Sequence, residues 1–128
     1  GIERCFAMYY ATARDFARYG KLLNHDGAWN GQQLVDSAFV AAMVQPIAER
    51  SSACDASHYG YQIWLGETED GLAFSCMEGL RGQFIVSIPD LDLVIVRTGF
   101  DKDPHKTDDV PSCIDRIISM GRGLYAKR

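Results

Sequence analysis

Hydrophobic and polar positions alternate in two different rhythms along the chain. In "ATARDFARYGKLLNHDG", Phe16, Tyr19 and Leu23 recur on one side of a helical period. Thr12 is placed to cap that helix, with Asp15 following in the polarity of a capping box, and "HDG" ends it. "AWNGQQLV" carries an Asn30-Gly31 turn. Asp36 or Ser37 caps a second helix, "SAFVAAMVQ", which Pro46 terminates. The stretch 47–57 is small and polar and reads as a loop.

From there the period changes to two. In "YGYQIWL", Tyr59, Tyr61, Ile63 and Leu65 alternate with Gly60, Gln62 and Trp64, predicting one strand. "ETEDG" is a turn, "LAFSCM" a second strand, and "QFIVSI" a third with Phe84, Val86 and Ile88 on one face. Pro89-Asp90 turns the chain into "LDLVIVRTG", whose unbroken apolar run predicts a strand covered on both faces and hence a central one. The short connections make these neighbours antiparallel. Pro111 then opens a last helix with Ile114, Ile117, Ile118 and Gly121 along one side. The expectation is α+β: a helical segment over 1–57, antiparallel strands over 58–100, and a loop and helix over 101–128.

Composition narrows the function more than the fold. A chain of 128 residues is one domain's worth. Its 13 basic and 17 acidic residues give a net charge of −4, and the basic ones form no stripe, which argues against nucleic acid. No apolar run approaches the ~18 residues of a membrane span, and no signal-peptide layout is present. The opening "GIERCFAMYYATARD" lacks an initiating methionine, which suggests a processed or truncated product.

The candidate chemistry is sparse. Cys5, Cys54, Cys76 and Cys113 never form a close pair, so a metal site is not expected and free thiols are preferred to disulfides. His25, His58 and His105 sit in turn-like or polar settings and read as solvated. Asp90 and Asp92 read as turn caps. Asp101, Asp103, Asp108 and Asp109, interleaved with Lys102 and Lys106, fit no EF-hand and read as a solvated acidic loop. No S-x-x-K, G-x-S-x-G, H-E-x-x-H or P-loop is present, and no cofactor is expected. Tyr9 and Tyr10 read as packing residues, Trp29 and Trp64 as core or turn covers, and Cys76 as a small strand residue.

"ATARDFARYGKLL", "GAWNGQQLV", "YGYQIWL" and "GLRGQFIVSIPDLDLVIVRTG" together, in this order, resemble the serine β-lactamase-related hydrolases. The turn G-x-x-G-Q, Gly79 to Gln83, is similar to that of the 6-aminohexanoate-dimer-hydrolase-like branch. The resemblance implies the C-terminal part of a β-lactamase/transpeptidase-like fold. It also implies a missing half, because the family's S-x-x-K serine and lysine and its assisting tyrosine lie upstream of the A-T-A-R-D helix. The implied partner is therefore the N-terminal part of the same protein, and the implied substrate a small ester or amide cleaved through an acyl-enzyme. "CMEG" stands where many members carry K-T-G or H-T-G, which favours an esterase or amidase over a lactamase or carboxypeptidase. The bacterial periplasm and the cytoplasm both suit such an enzyme.

By the same resemblance, Gly79 and Leu80 belong to the oxyanion hole, with the Leu80 amide as donor, and Met77, Glu78 and Arg81 border the substrate. A glycine at 79 lets a carbonyl approach the backbone. Without the resemblance, Gly79 and Gly82 simply permit a tight hairpin, and Arg81 is either a carboxylate ligand or a surface arginine. Two other functions fit the residues: an autonomous α+β binding or structural module without catalysis, and a piece that completes a partner by strand addition.

Overall fold

The computed structural model describes residues 9–49, 58–79, 82–99 and 111–126. Helix α1 (Ala13–Asn24) begins with the predicted capping box: Thr12 Oγ1 accepts from the Asp15 N–H at 3.3 Å, and the Asp15 carboxylate accepts from the Thr12 N–H. Bonds from the Thr12 hydroxyl and Arg18 hold the Asp15 carboxyl below its ordinary range. The buried side of α1 differs from the predicted face. Gly20 and Leu23 are buried, whereas Tyr19 is 42% exposed. A Cβ on Gly20 would lie 2.6 Å from Val94 Cγ1, so the helix meets the sheet at its glycine and turns Tyr19 outward.

Beyond α1, β1 (Ala28–Trp29) and β2 (Gln32–Gln33) pair across Asn30 and Gly31. Both turn residues have positive φ, 49° and 77°, the signature of a type I′ hairpin. Helix α2 (Ser37–Met43) is capped by Asp36, whose carboxylate accepts from the Ala38 N–H at 2.7 Å.

Six antiparallel strands follow in sequence order: β3 (Ala48–Glu49), β4 (His58–Tyr59), β5 (Trp64–Glu67), β6 (Ala73–Gly79), β7 (Gln83–Ile88) and β8 (Leu93–Arg97). Two elements depart from the sequence reading. Ala48 and Glu49, inside the expected loop, pair with β4. "YGYQIWL" is a hairpin rather than one strand, with His58 opposite Leu65 and Tyr59 opposite Trp64. Its reversal is fixed by docking on the end of α2. The Tyr61 N–H donates to the Met43 carbonyl at 3.0 Å, and any Cβ on Gly60 would stand 2.0 Å from that oxygen. The alternation runs straight through this turn and so conceals it.

Helices cover both faces of the sheet. On one, Phe74, Cys76, Phe84, Val86 and Ile88 pack under Ile118 of α3 (Pro111–Tyr125). On the other, Leu23 and Val40 meet Ile63, with Leu65 and Met77 alongside. The apolar run of β8 is explained by this sandwich: Val94 meets Gly20 of α1, and Ile95 meets Gly121 of α3. Among the described residues β8 pairs with β7 alone, so these residues supply one of the two neighbours expected of a central strand. Cover on two faces and neighbours on two edges are separate properties, and the composition reports only the first. The fold is α+β.

Candidate functional site

The glycine-rich turn joins the two longest strands. Along β6 and β7, Met77 faces Ile85, Glu78 faces Phe84 and Gly79 faces Gln83. Leu80 and Arg81, the expected amide donor and expected cation, lie outside the described residues. Gly82 closes the turn, buried and at φ 77°. That φ suits glycine far better than any L side chain. Gly79 has a packing reason of its own, since a Cβ there would sit 3.0 Å from Gln83 Cβ.

Met77 and Glu78 project to opposite faces of β6. Met77 is half-buried against the cluster of Leu23, Val40 and Ile63, while Glu78 is exposed on the α3 side. The structure therefore does not bring these two expected substrate neighbours together on one face.

Where the β7–β8 ladder stops, at Phe84 opposite Arg97, side chains continue it. The Gln83 side-chain amide donates to the Gly99 carbonyl, and its oxygen accepts from the Gly99 N–H at 3.2 Å. Arg97 donates to the Gly82 carbonyl. In the sequence Gln83 stands out only as the end of the G-x-x-G-Q turn and the start of "QFIVSI", and Arg97 belongs to no motif at all. The available signal was a lone charged residue closing an otherwise apolar strand.

The other candidates resolve simply. Cys76 is wholly buried between Trp64 and Val86, as a small strand residue should be. Trp64 packs edge-on to Tyr59 with centroids 4.5 Å apart. Tyr9 touches the Phe16 ring at 5.7 Å but is 75% exposed, and Tyr10 is 85% exposed, so a packing role fails for Tyr10. His25 is not a free loop histidine: it is the C-cap of α1, and its Nε2 lies 3.0 Å from Asp92 Oδ1. Asp92 also accepts from Lys21 at 3.1 Å, and these bonds, Lys21's first, lower its pKa. It thus ties the end of α1 to the β7–β8 connection while capping the Pro89–Leu91 turn, where its N–H donates to the Pro89 carbonyl at 2.8 Å. Among the described residues no group of three His, Cys, Asp or Glu is placed to hold a metal, and no helix is long and apolar enough to cross a membrane. The acidic residues 101–109 and His105 lie outside the described residues.

A cleft of about 710 Å³, lined in part by Asp70, Ser119, Met120 and Arg122, opens between α3 and the β5–β6 turn. It stands at the opposite end of β6 from Gly79. Asp70 there accepts two hydrogen bonds from Arg122, at 2.8 and 2.7 Å. Those bonds, with one from Thr68, hold its pKa down at about 2. Its charge is thus already answered.

No protein-family model matches the sequence, and no curated protein matches it. Among solved structures, the chain is similar to one described as a "putative 6-aminohexanoate-dimer hydrolase from Bacillus anthracis". The identity is 27% and the TM-score 0.64, over 91% of this chain and 30% of that one. The α+β arrangement matches the C-terminal portion of this β-lactamase-like neighbour. The chain therefore spans about a third of the structure it resembles.

Proposed function

We propose that this chain supplies the oxyanion-side sheet of a serine hydrolase that cleaves small esters or amides through an acyl-enzyme. The nucleophile comes from polypeptide outside residues 1–128, because no S-x-x-K occurs within them. The serine hydroxyl gives its proton to a base outside residues 1–128 as its oxygen adds to the substrate carbonyl carbon, and the C=O π pair moves onto the carbonyl oxygen as negative charge. Collapse of that adduct expels the alcohol or amine, which takes up the proton, and water then releases the acid. The backbone N–H of Leu80, presented by the turn after Gly79, donates to the charged carbonyl oxygen; one such donor is worth roughly 3 kcal/mol in the transition state. Met77, Glu78 and Arg81 are the nearest side chains in sequence to that donor, and Arg81 is the natural partner for an anionic substrate group.

The observation that carries this reading is the likeness to a described hydrolase over 91% of the chain. The "CMEG" segment, lacking a basic residue and hydroxyl, favours ester or amide substrates over lactams.

The test is turnover of p-nitrophenyl acetate by the intact polypeptide that contains this chain. A burst of nitrophenol with an acetyl adduct on a serine outside residues 1–128 is expected, while the 128-residue chain alone stays at the buffer rate. Turnover by the chain alone, abolished by one substitution within it, would contradict the proposal.

A further inference from the structure

We propose that Gln83 and Arg97 are positioning residues that clamp Gly82, the β7 end of the glycine turn, to Gly99 beyond the end of β8. The backbone ladder between β7 and β8 ends at Phe84 and Arg97. Beyond that pair, the Gln83 side chain offers one donor and one acceptor to Gly99, the same complement a peptide group on a neighbouring strand would offer. Arg97 reaches back from β8 to the Gly82 carbonyl. Its guanidinium lies over Gly99, where a Cβ would stand 3.0 Å from Nη1 and 3.2 Å from Cζ. Residues 82, 83, 97 and 99 are thus linked, two side chains from adjacent strands each tied to a glycine backbone.

The chemistry suits a positioning task. Glycines at 79 and 82 leave the connection with wide conformational freedom. A backbone N–H aimed at a reacting oxygen must be held within about 0.5 Å of its place by its surroundings. Apolar burial does not aim a backbone, whereas a hydrogen bond to the Gly82 carbonyl fixes the orientation of that peptide plane. The arginine bond is charge-assisted and shares its cluster with the glutamine bonds, so the set acts jointly. The consequence for catalysis rests on the hydrolase reading above; the clamp itself does not.

The test uses the intact polypeptide with Gln83→Ala, Gln83→Glu, Arg97→Ala and Arg97→Lys. Two kinds of quantity are read: amide hydrogen exchange across 79–83, at Gly99 and across α1, and kcat and KM for p-nitrophenyl acetate. Gln83→Ala should accelerate exchange of the Gly99 N–H, which loses its acceptor, and Arg97→Ala that of the Gln83 N–H, which shares a peptide plane with the Gly82 carbonyl, each by about tenfold or more while α1 exchange is unchanged. Both alanine variants should also lower kcat by about tenfold with KM within about twofold. Arg97→Lys keeps a donor for the Gly82 carbonyl and should restore most of both quantities. Gln83→Glu loses its donor to the Gly99 carbonyl and should behave like the alanine variant. Wild-type exchange at Gln83 and Gly99 in both alanine variants overturns the clamp, whatever the activity. Faster exchange with unchanged kcat keeps the clamp and removes the catalytic role of the turn instead. Should an alanine variant unfold, seen as fast exchange in α1, the conservative pair decides: slow exchange in Arg97→Lys and fast in Gln83→Glu supports the clamp, and the reverse overturns it.

Discussion

At one end of the β6–β7 hairpin, Phe74 and Ile88 are 4% and 0% exposed on the face that α3 covers. At the other end, Gly79 stands opposite Gln83, and the neighbouring backbone at Gly82 and Gly99 is held by polar side chains. Both ends belong to the same two strands, so propensity does not separate them. Their side chains do. The first end is built by burial, which stabilises strongly but without direction. The second is built from directional bonds around residues with no side chain, which stabilise weakly but fix orientation. Stability and placement are thus divided between the ends, which is why the proposed oxyanion donor is sought at the second.

Substitution at the packed end should carry the largest effect. Phe74 lies across Gly66, where a Cβ would stand 2.4 Å from its ring, and it belongs to the cluster under Ile118. Phe74→Ala should cost about 3–5 kcal/mol in urea unfolding of the intact polypeptide, with kcat per folded molecule unchanged. A loss below about 1 kcal/mol, or a kcat that falls with stability, would dissolve the division between the ends.

A smaller effect is expected from acid at the same end. Arg122 and Thr68 hold the Asp70 carboxyl at about 2, below its unfolded value near ~4. A depressed carboxylate contributes stability above the unfolded value and loses it as pH falls through the folded one. Wild-type stability should therefore fall between about pH 4 and pH 2 slightly more than that of Asp70→Asn, and its small advantage over that variant, fully present at neutral pH, should shrink with added salt. Parallel acid titrations of the two proteins would show no Asp70 contribution if the ion pair were idle.

Elements governed by local chemistry were legible in the sequence. The Thr12–Asp15 box, the Asn30-Gly31 turn, the Asp36 cap and the alternation of Phe84, Val86 and Ile88 each depend on residues within a few positions of one another. The departures at Gly60 and Tyr19 involve partners far along the chain: the reversal at Gly60 depends on the Met43 carbonyl, and the outward turn of Tyr19 on Val94 packed against Gly20. In the candidate site, the glycines were visible because they are unusual residues. Their clamp was not, because in the sequence Gln83 and Arg97 look like the other glutamines and arginines of the chain. The bond from Arg97 to Gly82 spans fifteen residues and exists only once β7 and β8 are paired.

The central claim is that the turn beginning at Gly79 serves the reacting oxygen rather than the fold alone. Gly79→Val in the intact polypeptide tests it most directly, provided kcat for p-nitrophenyl acetate and melting temperature are measured on the same preparation. Both are needed because a Cβ at 79 would fall 3.0 Å from Gln83 Cβ and strain the hairpin on any reading. The account predicts that kcat drops by about a hundredfold or more while the melting temperature moves by only a few degrees. A melting temperature that collapses together with the activity, or a kcat that stays within about twofold of wild type, would contradict it.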